Sequence, residues 1–245
     1  IALYQLIATD IYVLGQMVID ANLDLLRNGE FSELKRIPVA SNASIFCKLS
    51  DGMKQIHAIY KPIAGERPLW DFQEGNLAFR EYATYLIDRA LGINAVPTTI
   101  LRNGPYGLGA VQYWIEEIED PGQRFTQDLK QLRNIALLDV VVNNTDRKIG
   151  HLLFKDDQIY ACDHGVTFHS EYKLRTVLWQ FADSQLNLEE LEKLNFLINN
   201  LPQDLPNLIT ENEISALKNR ISDLLTSKKF PLPPTDWPAI PWPPF

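Results

Sequence analysis

Asn143-Asn144-Thr145-Asp146-Arg147-Lys148-Ile149-Gly150-His151-Leu152-Leu153-Phe154-Lys155-Asp156-Asp157-Gln158-Ile159-Tyr160-Ala161-Cys162-Asp163-His164-Gly165 is the stretch whose reading decides the fold. It begins where a helical pattern stops. Leu129, Leu132, Ala136, Leu137 and Val140 recur at spacings of three and four, which marks one apolar helix face. Beyond Asp146, two short strand candidates, Leu152-Leu153-Phe154 and Ile159-Tyr160-Ala161, flank the turn signal Lys155-Asp156-Asp157-Gln158. Asp163 ends the second strand and is followed by His164-Gly165, where glycine is expected to let the backbone turn tightly. A loop, a hairpin and an Asp-x-Gly turn thus bring two carboxylates to one edge. Phosphoryl transfer needs such a pair, one to orient the attacking hydroxyl and one to hold the cation that bridges the phosphates. Asp146 and Asp163 are the candidates, with His151 as a third polar position.

Upstream of this stretch, residues 45–49 and 56–60 read as strands joined by Ser50-Asp51-Gly52, where Asp-Gly signals a hairpin. Lys61 closes the second strand, after the small polar run Ala40-Ser41-Asn42-Ala43-Ser44. There its ammonium can meet phosphates as a point charge. A helix is predicted over about residues 76–90, with Gly92 just behind it. It carries Glu81, a partner for Lys61. Singly, Lys61 and Glu81 read as surface charges; the order Lys61, Glu81, Asp146, Asp163 is what favours a site. Residues 97–101 and 110–115 read as further strands around Asn103-Gly104-Pro105, and helices are expected over 188–199 and 211–227.

These elements predict an α+β fold of two lobes, a small sheet lobe and a mainly helical one. The expected divisions are 1–115, 116–230 and a Pro- and aromatic-rich tail at 231–245. The tail reads either as a polyproline recognition segment or as a strap packing Trp237, Trp242 and Phe245 on the helical lobe. The strap is preferred because exposed tryptophans are costly. The first residues, apolar at helical spacing from Leu3 to Ala21, read as a packing helix that closes near Asn28-Gly29. Asp10 and the lack of a basic leader argue against a signal peptide or membrane span.

Bulk properties narrow the function classes. The chain has 245 residues, 46% hydrophobic and 22% charged, as a globular protein has. A net charge of −8 and a pI near 5.0 leave no basic stripe for nucleic acid, and stable membrane association is not expected. Cys47 and Cys162 form no Cys-x-x-Cys pair, so neither a zinc site nor a disulfide framework is indicated and a cytoplasmic location is expected.

Taken together, these segments resemble the phosphatidylinositol 3- and 4-kinase-like superfamily, closest in pattern to the type II phosphatidylinositol 4-kinases and to an uncharacterised bacterial branch. The similarity runs from Ser41 to Leu186. Ser41-Asn42-Ala43-Ser44-Ile45-Phe46 looks like the family's phosphate loop. Tyr60-Lys61-Pro62 and Glu66-Arg67-Pro68 look like its Lys-Pro and Glu-Pro segment. Residues 80–88, Leu91-Gly92 and Val96-Pro97-Thr98-Thr99 match its helix and following strand, and Gln112-Tyr113-Trp114-Ile115-Glu116 its adenine-reading hinge. Asn144-Thr145-Asp146-Arg147 and Asp163-His164-Gly165 resemble its catalytic and metal loops.

The resemblance implies an ATP-dependent phosphotransferase using Mg2+ or Mn2+. Ser41, Asn42 and Ser44 would cover the phosphates, Lys61 would bind them with Glu81 as its partner, and Gln112 and Trp114 would line the nucleotide site. Asp146 would be the catalytic aspartate and Asp163 the metal ligand. The acceptor would be a protein hydroxyl or a small molecule, less readily an inositol lipid, since the cysteine-rich membrane insertion has no counterpart between Pro68 and Ala78. His151 stands where the family has a metal-binding asparagine, and imidazole is a softer ligand than an amide oxygen. That departure keeps two alternatives open: a nucleotide-binding pseudokinase with a regulatory role, and an AMP transferase on the same fold. A His151/Asp163/His164 transition-metal site ranks below these, because adjacent strand residues face opposite ways. Lys173 and Arg175 read equally as anion-binding groups or as surface pairs.

Overall fold

The structure, a computed structural model, describes residues 22–37, 43–72, 76–116 and 129–245. Residues 3–21 of the expected first helix lie outside the described residues, as do Ser41 and Asn42. The chain forms two compact units, one running to Gly65 and including Thr98–Trp114, the other comprising Glu66–Pro97 and Ile115–Phe245.

In the first unit, helix α1 (residues 22–28) leads into a five-stranded antiparallel sheet. Its strands are β1 (Glu30–Arg36), β2 (Ile45–Ser50), β3 (Gln55–Pro62), β4 (Thr99–Gly104) and β5 (Gly107–Tyr113), in the order β1-β2-β3-β5-β4. β2 shows the alternation that makes a one-sided sheet: Ile45, Cys47 and Leu49 are buried, with Phe46, Lys48 and Ser50 between them partly exposed. Those inward residues pack with Leu26, Ala58, Tyr60, Ile100 and Val111. Burial pushes the free Cys47 thiol up to about 12. It is therefore a small apolar core residue and not a reactive thiol.

Two features of this sheet differ from the sequence reading. β1, Glu-Phe-Ser-Glu-Leu-Lys-Arg, was not expected as a strand; it is an edge strand with only Phe31 partly buried, and its register shifts between Ser32 and Lys35. Glu33 takes a left-handed φ of 52° at the shift. A bulged, charged edge erases the alternation that reveals a strand and also discourages edge-to-edge pairing. The β2–β3 connection is also longer than a two-residue Asp-Gly turn. Ser50 pairs with Gln55, and Asp51 accepts the amides of Met53 and Lys54 at 2.8 and 2.7 Å, an Asp-organised turn.

The second unit holds helix α2 (Leu77–Ala90), α3 (Leu129–Val142), the hairpin β6 (Leu152–Lys155) and β7 (Gln158–Ala161), α4 (Leu188–Asn199) and α5 (Glu211–Ser227). Glu66 accepts the first amides of α2, Leu77 and Ala78, at 3.0 and 2.8 Å, placing a negative charge on the helix's positive end. At its other end Asp88 is fully buried and accepts the amides of Ala95 and Val96. Burial outweighs these bonds and the Arg89 charge, raising its carboxyl to about 6. Asp156 and Asp157 turn the β6–β7 hairpin with φ of 49° and 61°, the two left-handed residues of a tight hairpin turn. Asn187 with Glu190 and Thr210 with Glu213 form reciprocal capping boxes on α4 and α5. Both helices have the bounds expected from the sequence, 188–199 and 211–227.

The tail is a strap within this unit. The amides of Thr176 and Ile149 donate to Ala239 and Pro244 oxygens at 3.0 and 2.8 Å, and the Trp179 indole donates to Ala239 at 2.7 Å. Only Trp237 of the three expected anchors packs inward; Trp242 and Phe245 are 88% and 78% exposed. Backbone hydrogen bonds, invisible to a count of aromatics, hold the strap instead. No helix among the described residues is long and apolar enough to cross a membrane.

Candidate active site

The second unit gathers Asp146, His151 and Asp163. α3 is buried on nearly all sides and ends at Asn143, whose φ of 54° turns the chain out of the helix. Asn144 then bonds the Asp146 amide through Oδ1 at 3.0 Å. Arg147 follows and is fully buried, paired with Asp139, itself fully buried on α3, at 2.9 Å. The guanidinium also donates to the Cys162 carbonyl at 2.8 Å and meets His164 Nε2 at 2.7 Å. Asp139 further accepts Asn144 Nδ2 at 2.9 Å and Thr176 Oγ1 at 3.2 Å. One buried salt bridge therefore ties the Asp146 loop, the end of the hairpin and residue 176 to a single helix.

That network settles His164. A guanidinium offers only donors, so His164 Nε2 accepts and its proton resides on Nδ1. A neutral, fully buried imidazole occupied by Arg147 is a structural group, and the His151/Asp163/His164 metal reading gives way. Asp163 lies two residues beyond the end of β7, in the left-handed region at φ 60°. The tight turn expected of Gly165 is thus made by Asp163. Gly165 serves close approach: a Cβ there would stand 3.3 Å from Leu77 Cβ and 3.7 Å from Glu81 Oε1 on α2.

Asp146 is partly buried, and burial pushes its carboxyl above the ordinary aspartate range. Lys148, whose Nζ is 3.3 Å from Oδ2, pulls it back; the charge of Asp163 adds to the rise and Arg175 opposes it. His151 sits on the 3-10 turn just before β6, with Nε2 3.4 Å from Asp163 Oδ2. Among the described residues no group of three or more His, Cys, Asp and Glu is arranged to enclose a metal. A magnesium ion that bridges phosphates takes one or two carboxylates and fills its shell with phosphate oxygens and water. Asp163, with its half-exposed carboxylate and with Asp146 near enough to sense its charge, fits that kind of donor set.

The other candidates lie in the first unit, except Glu81, which is buried on α2. Lys61 is on β3 opposite Ala110. Gly109, next to it on β5, leaves no room for a side chain, since a Cβ would fall 2.7 Å from Pro62 Cα. Ser44 is buried at the start of β2, and its carbonyl accepts the Ile37 amide at 2.9 Å. Gln112 is buried and donates to Thr99 Oγ1 at 2.8 Å. Trp114 packs edge-on against Phe46, and its amide donates to the His57 carbonyl. Ser41 and Asn42 lie outside the described residues.

Sequence reasoning passed over Asp139 and Thr176, and gave Asn144 no separate role within its loop. One signal was present: a charged Asp139 inside Leu137-Leu138-Asp139-Val140-Val141-Val142 requires a buried partner. Lys173 and Arg175 both have partners within the second unit. Lys173 bonds Asp71, Glu171 and His169, and Arg175 Nε donates to the Thr145 carbonyl at 2.7 Å.

No protein-family model matches the chain. It is 37% identical to Protein Rv2133c of Mycobacterium tuberculosis over 90% of this chain and 94% of that protein. The chain belongs to the family of that mycobacterial protein. A 130-residue segment, 44% of this chain, is 27% identical to phosphatidylinositol 4-kinase gamma 4 of rice, Oryza sativa subsp. japonica, covering 23% of that protein. Among solved structures, the Golgi casein kinase superposes with a TM-score of 0.54 over 86% of this chain and 74% of that chain, at 14% identity. The same enzyme with Mn/ADP bound gives the same TM-score. The fold is therefore kinase-like.

Proposed function

We propose that this protein is an ATP-dependent phosphotransferase of the phosphatidylinositol 3-/4-kinase-like kind. The observation that carries the reading is the pairing of Asp146 and Asp163 on two loops locked to α3 through Arg147 and Asp139. Asp146 orients the acceptor hydroxyl and takes up its proton. Asp163 binds a divalent cation, and His151 stands beside it as a second donor. The cation neutralises charge on the transferring phosphoryl group. Lys61 binds nucleotide phosphates, with Glu81 as its partner. Ser41, Asn42 and Ser44 cover the phosphates, while Gln112 and Trp114 contribute to the adenine end. The Mn/ADP-bound Golgi casein kinase and the partial likeness to a phosphatidylinositol 4-kinase support this nucleotide and metal assignment. The acceptor is a protein hydroxyl or a small molecule in preference to an inositol lipid. Mass analysis of candidate targets after incubation with ATP distinguishes a transferred phosphoryl group from AMP, and no adduct speaks for a pseudokinase.

ATP with magnesium or manganese is expected to raise the melting temperature by mass action on the folded state. Asp163→Asn should abolish the metal-dependent part of that shift. Absence of any shift or calorimetric heat with the wild-type chain at saturating ATP and metal would sink the assignment.

His151 is open to a separate test. If its imidazole ligates the cation, His151→Asn restores a hard oxygen donor and should improve magnesium-supported binding relative to manganese. Metal titrations of both proteins with ATP present report the ratio. Equal ratios would confine His151 to holding Asp163.

A further inference from the structure

The strap touches both flanks of the loop that carries Asp146. Residues 144–147 and 175–177 run side by side. Arg175 N donates to Asn144 O, Arg147 N to Arg175 O, and Val177 N to Arg147 O, at 2.9, 3.1 and 3.2 Å. Arg147 and Thr176 form a parallel bridge. The strap closes this arrangement from outside: Ala239 O accepts Thr176 N, and Pro244 O accepts Ile149 N just beyond the loop.

Its side-chain anchor is Trp237, whose ring lies 5.5 Å from both the Lys173 ammonium and the Arg175 guanidinium. Arg175 in turn holds the Thr145 carbonyl through Nε, one residue from Asp146. A guanidinium held over an indole ring by cation–π attraction and anchored through Nε has less freedom to reorient. We propose that Trp237 is a positioning residue for phosphoryl transfer. Through Arg175, and through the strap carbonyls beside it, it fixes the backbone on which Asp146 sits. This inference rests on the phosphotransferase reading for its kinetic part, whereas the ordering of the loop stands apart from it.

Two measurements on Trp237→Ala, Trp237→Phe and a chain ending at Pro234 test the proposal. The first is hydrogen exchange of peptides spanning residues 143–151, with α4 and α5 as internal references. Trp237→Ala and the shortened chain should exchange about tenfold faster in that segment only, as expected of local opening, and Trp237→Phe should stay near wild type. The second is steady-state transfer. The same two variants should lose roughly tenfold to a hundredfold in kcat, the cost of a misplaced reacting group, with KM for ATP unchanged and substantial rescue by phenylalanine. Unchanged exchange in residues 143–151 overturns the proposal, as does a loosened loop with unchanged kcat. If the wild-type chain transfers nothing to any acceptor, the exchange result still decides the positioning role, and the phosphotransferase reading alone falls.

Discussion

Asp146→Asn is expected to lower transfer by about a thousandfold while leaving ATP affinity close to wild type, within the range that general-base removal produces. The asparagine fills the same space and keeps the backbone bond from the Asp146 amide to Asn144 Oδ1, so the loop is not disturbed. What disappears is the group that takes the hydroxyl proton. Because burial holds this carboxyl above the ordinary aspartate range, its protonated form persists to higher pH than for a free aspartate. The wild-type rate should therefore fall with acid earlier than a free carboxylate would dictate. Lys148 lowers the same carboxyl, so Lys148→Met should move that fall to still higher pH. Loss of ATP affinity together with turnover in Asp146→Asn would instead put Asp146 in the metal shell, and unchanged turnover would remove it from the chemistry. Single-turnover kinetics with parallel calorimetry separate these outcomes.

Asp139→Ala is expected to cost roughly 3–5 kcal/mol, the range for removing one partner of a buried ion pair. Arg147 and Asp139 both have fully buried side chains, so the truncation strands a guanidinium away from water. It also strips acceptors from Asn144 Nδ2 and Thr176 Oγ1. For a chain of this size a melting temperature lower by roughly 10 °C follows. The double variant Asp139→Leu/Arg147→Met separates stability from organisation. An apolar pair of similar volume is often tolerated or even stabilising, so much of the melting temperature should return. Transfer should not return, since the Cys162 carbonyl and His164 lose the donor that ties the Asp163 loop to the Asp146 loop. A single variant that melts like the wild type would show that Arg147 has escaped to solvent or found another partner.

The two predictions bear on residues of different legibility. Asp146 and Asp163 were visible because local order marks them: a helix pattern that stops, a hairpin signal, and an Asp-x-Gly turn. Asp139 was not, because the residue that makes its burial tolerable stands eight positions on and meets it only once α3 and the following loop are packed. The same division holds for Asp163 and Gly165, where the sequence points to a turn but cannot say which residue adopts the left-handed backbone.

The sequence by itself determined the elements whose signals are local. α2, α3, α4 and α5 follow from apolar spacing and, for the last two, from the Asn187–Glu190 and Thr210–Glu213 caps. β2, β3, β6 and β7 follow from apolar runs bounded by turn residues. Tertiary structure alone decided what depends on partners distant along the chain. β1 is a strand because β2 offers it an edge, not because its charged sequence favours one. His164 is a neutral core group because Arg147 reaches it. The tail is held by the amides of Thr176 and Ile149, leaving Trp242 and Phe245 outside. Backbone hydrogen bonds and buried ion pairs are satisfied by whichever group the fold brings within about 3 Å, and no pattern in one dimension specifies which group that is.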